Sequence, residues 1–188
     1  MKFPNFLKKV IISKEDSVKD IYDNYYILTK LDDRNFELKF HEHIFGRMSI
    51  SKRGANDGYV ADVDIEGKKF LFQPIRKFWP RQFKIIEKAT NEEVLMRFGF
   101  LGLTGKMVLH GTTYYFSAGG GKLVTNHLWE YKKIIDGHEE PRVLSTWSRG
   151  LLPPGITIAS SEAVSECADS LMLILFARYL QMAYIAGY

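Results

Sequence analysis

The sequence has only one cysteine, Cys167, among its 188 residues. A single thiol excludes an internal disulfide framework and any metal site built from several cysteines. A secretory signal is also missing. Residues 1–9 are basic, but the apolar run that follows ends at Ser13, and a signal needs about 7–15 apolar residues. These absences predict a cytoplasmic protein. Cys167 falls in a segment predicted below to be a buried helix, so we expect it to be a small buried hydrophobe rather than a nucleophile.

The motifs of nucleotide-binding proteins and of serine hydrolases are absent as well. The run Leu103-Thr104-Gly105-Lys106 ends like a phosphate-binding loop. However, Phe100 stands where that motif has its first glycine, and Met107 stands where it has Ser or Thr. There is no G-x-S-x-G elbow and no G-x-G-x-x-G fingerprint. The sequence therefore predicts no cofactor and no catalytic residue of these classes.

One histidine pair has a spacing that a metal could use. His41 and His43 flank Glu42, and on a strand the two imidazoles would lie on the same face. No spacing in the sequence identifies a third ligand, so we predict no metal site. An enzyme whose site is assembled from distant residues, with these three as the first candidates, is an alternative function.

The residues that are present favour strands. Apolar residues make up 46% of the chain, and 13 Phe, 10 Tyr and 3 Trp bias it towards β-structure. In the run 35–41, for example, Phe36, Leu38 and Phe40 alternate with charged residues. Similar runs are 59–65, 69–73, 82–86, 106–110, 113–117, 128–135 and 143–147, and turn-like clusters lie at 31–34, 53–58, 66–67, 88–91, 119–121 and 136–138. This spacing predicts about twelve strands before residue 160.

The C-terminal segment is different, because residues 163–186 contain no Gly or Pro. Ser160 or Ser161 can cap a helix over 161–186, and residues 171–177 are all apolar, so this helix must be buried on every side. Arg178 and Gln181 interrupt the apolar run, whereas a membrane span needs about 20 apolar residues. A tail-anchored membrane protein is therefore the second alternative. We favour a single domain over 1–188, a closed antiparallel β-barrel of about twelve strands with this helix threaded through it.

The strongest local feature is electrostatic, and we call residues 68–88 the basic segment. It has one acidic residue, Glu87, against seven basic ones and so carries +6, whereas the whole chain carries +4. The basic residues are Lys68, Lys69, Arg76, Lys77, Arg81, Lys84 and Lys88. Cations beside Phe78 and Trp79 suit anionic phospholipid headgroups, and less well single-stranded nucleic acid. The structural alternative is that they are the outward residues of alternating strands.

Three stretches together resemble a known superfamily. They are Trp79-Pro80-Arg81-Gln82-Phe83-Lys84-Ile85-Ile86 followed by a turn and Glu93-Val94-Leu95, then Tyr114-Tyr115-Phe116, and then the helix from Ser161. This arrangement resembles the tubby C-terminal-like superfamily, which includes tubby-like domains, phospholipid scramblases and LURP-one-related proteins. The resemblance implies a barrel around a central helix, and a non-enzymatic module that binds anionic phospholipid or a protein partner, peripherally, at a membrane surface.

Overall fold

The computed structural model describes residues 25–52, 58–76, 82–99, 104–120, 127–135, 138–140, 147–148, 156–160 and 169–185. These residues form thirteen strands and one helix. The strands are β1 (Tyr25–Lys30), β2 (Asn35–Phe40), β3 (His43–Lys52), β4 (Tyr59–Ile65), β5 (Lys68–Arg76), β6 (Gln82–Glu87), β7 (Glu93–Phe98), β8 (Thr104–Leu109), β9 (Thr112–Gly120), β10 (His127–Ile135), β11 (His138–Glu140), β12 (Trp147–Ser148) and β13 (Ile156–Ser160), and the helix is α1 (Ser170–Ile185). The prediction of a mainly β chain with one C-terminal helix is confirmed.

The strands form one antiparallel sheet. The first nine lie side by side in chain order, β10 and β11 continue beyond β9, and β13 pairs with β1 and carries β12 at the other edge. Within the described residues no ladder joins β11 to β12, so the sheet is open there and the predicted closure is not observed. Cα atoms of β10 and β12 nevertheless come within 8 Å of one another.

Short turns fix the register between consecutive strands. The β4–β5 hairpin turns at Glu66 and Gly67, whose φ angles are 50° and 85°, and the β8–β9 hairpin turns at His110 and Gly111, with φ of 46° and 75°. Two successive positive φ angles define the type I′ turn, whose twist matches that of the strands. Because the chain reverses at every turn, the turns at 41–42, 66–67, 88–92 and 110–111 lie at the same end of the strands, which we call the hairpin end. The opposite end of the strands is the far end.

The helix lies against the inner face of this sheet. Leu173, Ile174, Leu175, Phe176 and Ala177 are all 0% exposed, so the predicted burial of the apolar run is confirmed for these residues, whereas Leu171 at its start is half-buried. The ring of Phe72 on β5 lies 5.1 Å from that of Phe176 and 5.7 Å from that of Tyr179, and the Phe83 ring on β6 lies 6.0 Å from Tyr179. Arg178 is half-buried, with its guanidinium 5.2 Å from the centre of the Phe36 ring on β2. Among the residues described, no helix has the length and apolar character needed to cross a membrane.

Two predicted boundaries are corrected. The helix begins at Ser170 rather than at Ser161, because Asp169 lies in a turn and its carbonyl accepts the first helical hydrogen bond, from the Leu173 N–H at 3.0 Å. Residues 161–168 lie outside the described ranges. The predicted turn at 119–121 is also wrong at its start, because Gly119 and Gly120 belong to β9 and pair with β10 through their backbones. Of the run 143–147, only residue 147 is described, in β12.

Candidate functional site

The described residues of the basic segment form the paired strands β5 and β6 and the start of the next turn, and their cations are spread along these strands rather than gathered at one end. Lys68 and Lys69 are exposed at the hairpin end, and Lys88 is next to them, with its N–H donating to the Lys69 carbonyl at 2.8 Å. Arg76 lies at the far end, eight residues along β5, or about 26 Å away at 3.3 Å per residue. Lys84 lies between these ends on β6. Lys77 and Arg81 lie outside the described residues.

Two cations of the basic segment have carboxylate partners. Lys84 Nζ lies 2.6 Å from Glu93 Oε1 on β7, and Lys88 Nζ is paired with Asp62 on β4. The apolar residues alternate inward as expected, since Phe72 and Phe83 are buried in the core and Phe70 packs against it. The structure therefore brings together Lys68, Lys69 and Lys88, and separates them from Arg76.

Cross-strand register adds cations that lie outside the basic segment. Arg76 on β5 pairs with Gln82 on β6, Gln82 pairs with Arg97 on β7, and Arg97 pairs with Lys106 on β8. Directly paired residues lie on the same face of a sheet, so these four positions form one row. Arg97 and Lys106 are both exposed. Sequence reasoning missed them because it considered one continuous segment. A signal was present in the sequence, because Arg97 and Lys106 each occupy a polar position in a run of alternating polar and apolar residues, one before and one after residues 100–103.

The neighbouring part of the outer face has a balanced charge. Glu37 on β2 is nearly buried between Lys39, whose Nζ lies 2.5 Å from its carboxylate, and Arg47 on β3, whose Nε lies 3.1 Å away. Hydrogen bonding from Lys39, assisted by that from Arg47, lowers the pKa of Glu37 below its usual value, although burial opposes the shift. Along the same row Arg47 pairs with Asp64, and Asp64 pairs with Lys69. Charges alternate here and compensate one another.

The histidine pair does not have the predicted geometry. His41 lies in the β2–β3 turn with a φ of 51°, and His43 begins β3, so the two residues do not share one strand. Each ring packs on a different phenylalanine, His41 at 4.2 Å from Phe40 and His43 at 4.5 Å from Phe45. Within the described ranges no three metal-ligating side chains are grouped. The expectation that a strand places both imidazoles on one face is wrong because a turn intervenes.

Sequence reasoning missed a polar cluster where α1 meets the hairpin end. Both oxygens of the Asp169 carboxylate are bonded, Oδ1 to His110 Nδ1 at 2.7 Å and Oδ2 to the donating Tyr114 hydroxyl at 2.7 Å. Asp169 and Tyr114 are buried, whereas the His110 side chain is 62% exposed. A carboxylate before the first helical turn is favoured by the helix dipole. The cluster joins the start of α1 to β9 and to the β8–β9 turn, and it fixes one nitrogen of an exposed imidazole.

Nothing in the sequence could have placed these three residues together, since Asp169 is separated from His110 by 59 positions and from Tyr114 by 55. Cys167 lies outside the described residues, so its predicted burial is not addressed. Comparisons of the chain with protein-family models, with curated proteins and with solved structures gave no match.

Proposed function

We propose that the protein is a non-enzymatic, tubby-like module that binds anionic phospholipid headgroups peripherally, at the cytoplasmic surface of a membrane. The observation that carries this proposal is the excess of cations in the basic segment, +6 over residues 68–88 in a chain of +4. Each Lys or Arg close to an anionic bilayer contributes about 1 kcal/mol of attraction. Of these cations, Lys68 and Lys69 are exposed at the hairpin end, and Lys84 lies on the outer side of β6.

The fold that we propose for this module is a closed barrel around α1. At 3.6 residues per turn, Leu175, Phe176 and Tyr179 lie on one side of the helix, and Ile174 and Ala177 lie on the opposite side. The first side meets strands β3 to β6, yet Ile174 and Ala177 are also 0% exposed. A flat sheet covers only one side of a helix. The approach of β10 to β12 supports the idea that the sheet curls around α1 and covers the second side.

A filled interior favours binding at the outside of the sheet. The inner-facing side chains of β2 to β9 pack with α1 in one cluster, in which Phe36, Phe72 and Phe176 are among the largest fully buried side chains. Such a core resembles the interior of a structural domain rather than a cavity that carries an apolar ligand. The groups that remain for recognition are therefore the outward side chains and the turns.

Flotation with liposomes tests this function. We expect the full chain to float with vesicles that contain phosphatidylserine or phosphoinositides and not with pure phosphatidylcholine, and we expect added salt to weaken the binding because it screens the charges. Equal recovery with neutral and anionic vesicles would contradict the proposal, as would recovery with neither.

A further inference from the structure

The outer surface of β6, β7 and β8 has an unusual composition, and we call it the β6–β8 face. Inward positions on these strands are occupied by buried residues, such as Phe83, Met96 and Met107. Side chains alternate between the two faces of a strand, so the residues between these positions lie on the outer face. They include three cations and three aliphatic residues: Lys84, Arg97, Lys106, Ile86, Leu95 and Val108.

The cations of this face outnumber its carboxylates. Among its described side chains there are three basic groups and one carboxylate, Glu93, which is paired with Lys84. Arg97 and Lys106 are exposed and paired in register, and the Arg76 position extends their row onto β5. The complement of such a row is an extended anionic surface rather than a single anion.

Aliphatic side chains lie beside these cations. Val108 is 52% exposed, two residues from Lys106 on the same strand, and Leu95 pairs with Lys84. Ile86 and Leu95 are half-buried. The outer face of a one-sided antiparallel sheet is ordinarily polar, so one exposed and two half-buried aliphatic side chains lying between cations distinguish this face. A bilayer interface accepts both kinds of group, because the cations contact phosphates while the aliphatic groups reach the acyl boundary.

Single-stranded nucleic acid fits this face less well. Binding of that kind depends on aromatic side chains on which the bases stack. None of the described side chains on the β6–β8 face is aromatic.

We propose that the β6–β8 face is the surface that docks on an anionic bilayer, with the Arg97–Lys106 row at the phosphates and Val108 at the acyl boundary. This inference rests on the proposed function and assigns it to one surface. It places the contact on the outer face of β6 to β8, with the Arg97–Lys106 row towards the far end and Val108 two residues before the β8–β9 turn, rather than at Lys68 and Lys69 beside the β4–β5 turn.

A matched pair of double variants tests the assignment. Arg97→Gln with Lys106→Gln removes two cations from the β6–β8 face, and Lys68→Gln with Lys69→Gln removes two exposed cations from the hairpin end. Binding of each full-length variant to vesicles of phosphatidylcholine, alone or in an equimolar mixture with phosphatidylserine, is measured by flotation. We expect the first variant to bind the mixed vesicles roughly 30-fold more weakly than wild type, and the second to bind close to wild type. Val108→Ser should weaken binding without any change of charge.

The outcomes separate this inference from the proposed function. If wild type does not prefer the mixed vesicles, the proposed function fails. If wild type prefers them but the Lys68/Lys69 variant loses as much binding as the Arg97/Lys106 variant, or more, the β6–β8 assignment is overturned and the proposed function stands. Displacement of wild type from the vesicles by a thymidine oligonucleotide would overturn the choice of a lipid partner. Urea unfolding of each variant shows that the comparison is made between folded proteins.

Discussion

Gly46 on β3 lies directly against α1, and a side chain should not be tolerated at this position. A Cβ atom at this position would lie 2.9 Å from Leu175 Cδ1, 3.3 Å from the Asp64 carbonyl oxygen and 3.7 Å from Ile65 Cγ1. Carbon atoms pack best at about 3.5–4.0 Å, and Leu175 is 0% exposed, so it has no solvent to move into. Overpacking of this kind costs about 1–3 kcal/mol, and the lower entropy of the unfolded alanine chain offsets about 0.4–1 kcal/mol. We expect Gly46→Ala to lower the free energy of unfolding by about 1–2 kcal/mol.

A double-mutant cycle identifies the cause of that loss. Leu175→Ala alone should cost about 2–5 kcal/mol, because it leaves a cavity in the core. It also removes the atom that the new Cβ would overlap, so Gly46→Ala should cost little in the Leu175→Ala background. We expect a coupling energy of about 0.5–3 kcal/mol, in the favourable direction. Urea unfolding followed by tryptophan fluorescence gives the four free energies.

Gly67 provides the control, because its requirement for glycine has a different origin. Its φ is +85°, and nothing lies within 4 Å of the position that a Cβ would take. Gly67→Ala should therefore cost about 1–2 kcal/mol through backbone conformation alone, and its effect should add to that of Leu175→Ala. If Gly46→Ala is as stable as wild type, or if it is simply additive with Leu175→Ala, α1 does not pack on β3 at this point and the reasoning is refuted.

Three other perturbations probe separate parts of the molecule. Tyr179→Phe removes the hydroxyl that donates to the Tyr59 carbonyl at 2.8 Å, and should lower the urea-derived free energy of unfolding by about 1–2 kcal/mol, whereas an unchanged value would contradict that bond. In the folded protein the pKa of Glu37 is lowered, chiefly by Lys39. The Glu37 carboxylate therefore stabilises the fold at a pH above its pKa in the unfolded chain, and this stabilisation is lost as the pH falls through its lower pKa in the folded protein. Glu37→Gln should therefore flatten the decline of the urea midpoint below about pH 4.5, and an unaltered decline would contradict this. Truncation after Ser160 removes α1, whose burial offers on the order of 10 kcal/mol, so a cooperative melt of the remainder would show that the helix is peripheral.

Local patterns predicted most of the strands because each depends on neighbouring residues. The run 59–65 matches β4 at both ends, and 82–86 differs from β6 by one residue. Alternation fixes which side chains face the core, and the Glu66-Gly67 pair supplies the positive φ angles that a tight hairpin needs. The apolar run in α1 predicted full burial because no solvated face is available to such a helix.

The contacts that define the candidate sites could not be predicted in this way, because they depend on register and on the path of the helix. Arg97 and Lys106 become neighbours only when β7 pairs with β8, and a shift of one residue would place them on opposite faces. The Asp169 carboxylate meets His110 and Tyr114 only through the path of the chain across β9 to β13, which separate these residues in the sequence. The prediction for His41 and His43 was wrong for a related reason, since residues two positions apart face the same side in a strand but not where a turn intervenes.

The two faces of the sheet explain why the fold could be predicted further than the function. Inward positions are constrained by packing against α1, and they are apolar on β3 and on β7 alike. Outward positions are not constrained by packing against α1, and the balance of their charges differs between β2–β3 and β7. On β2 and β3, Glu37 is matched by Lys39 and Arg47, whereas Arg97 on β7 lies in a row of further cations. Opposite charges on a balanced surface already stabilise one another, whereas like charges on a cationic surface repel one another. An anionic partner would therefore gain most from contact with the cationic face.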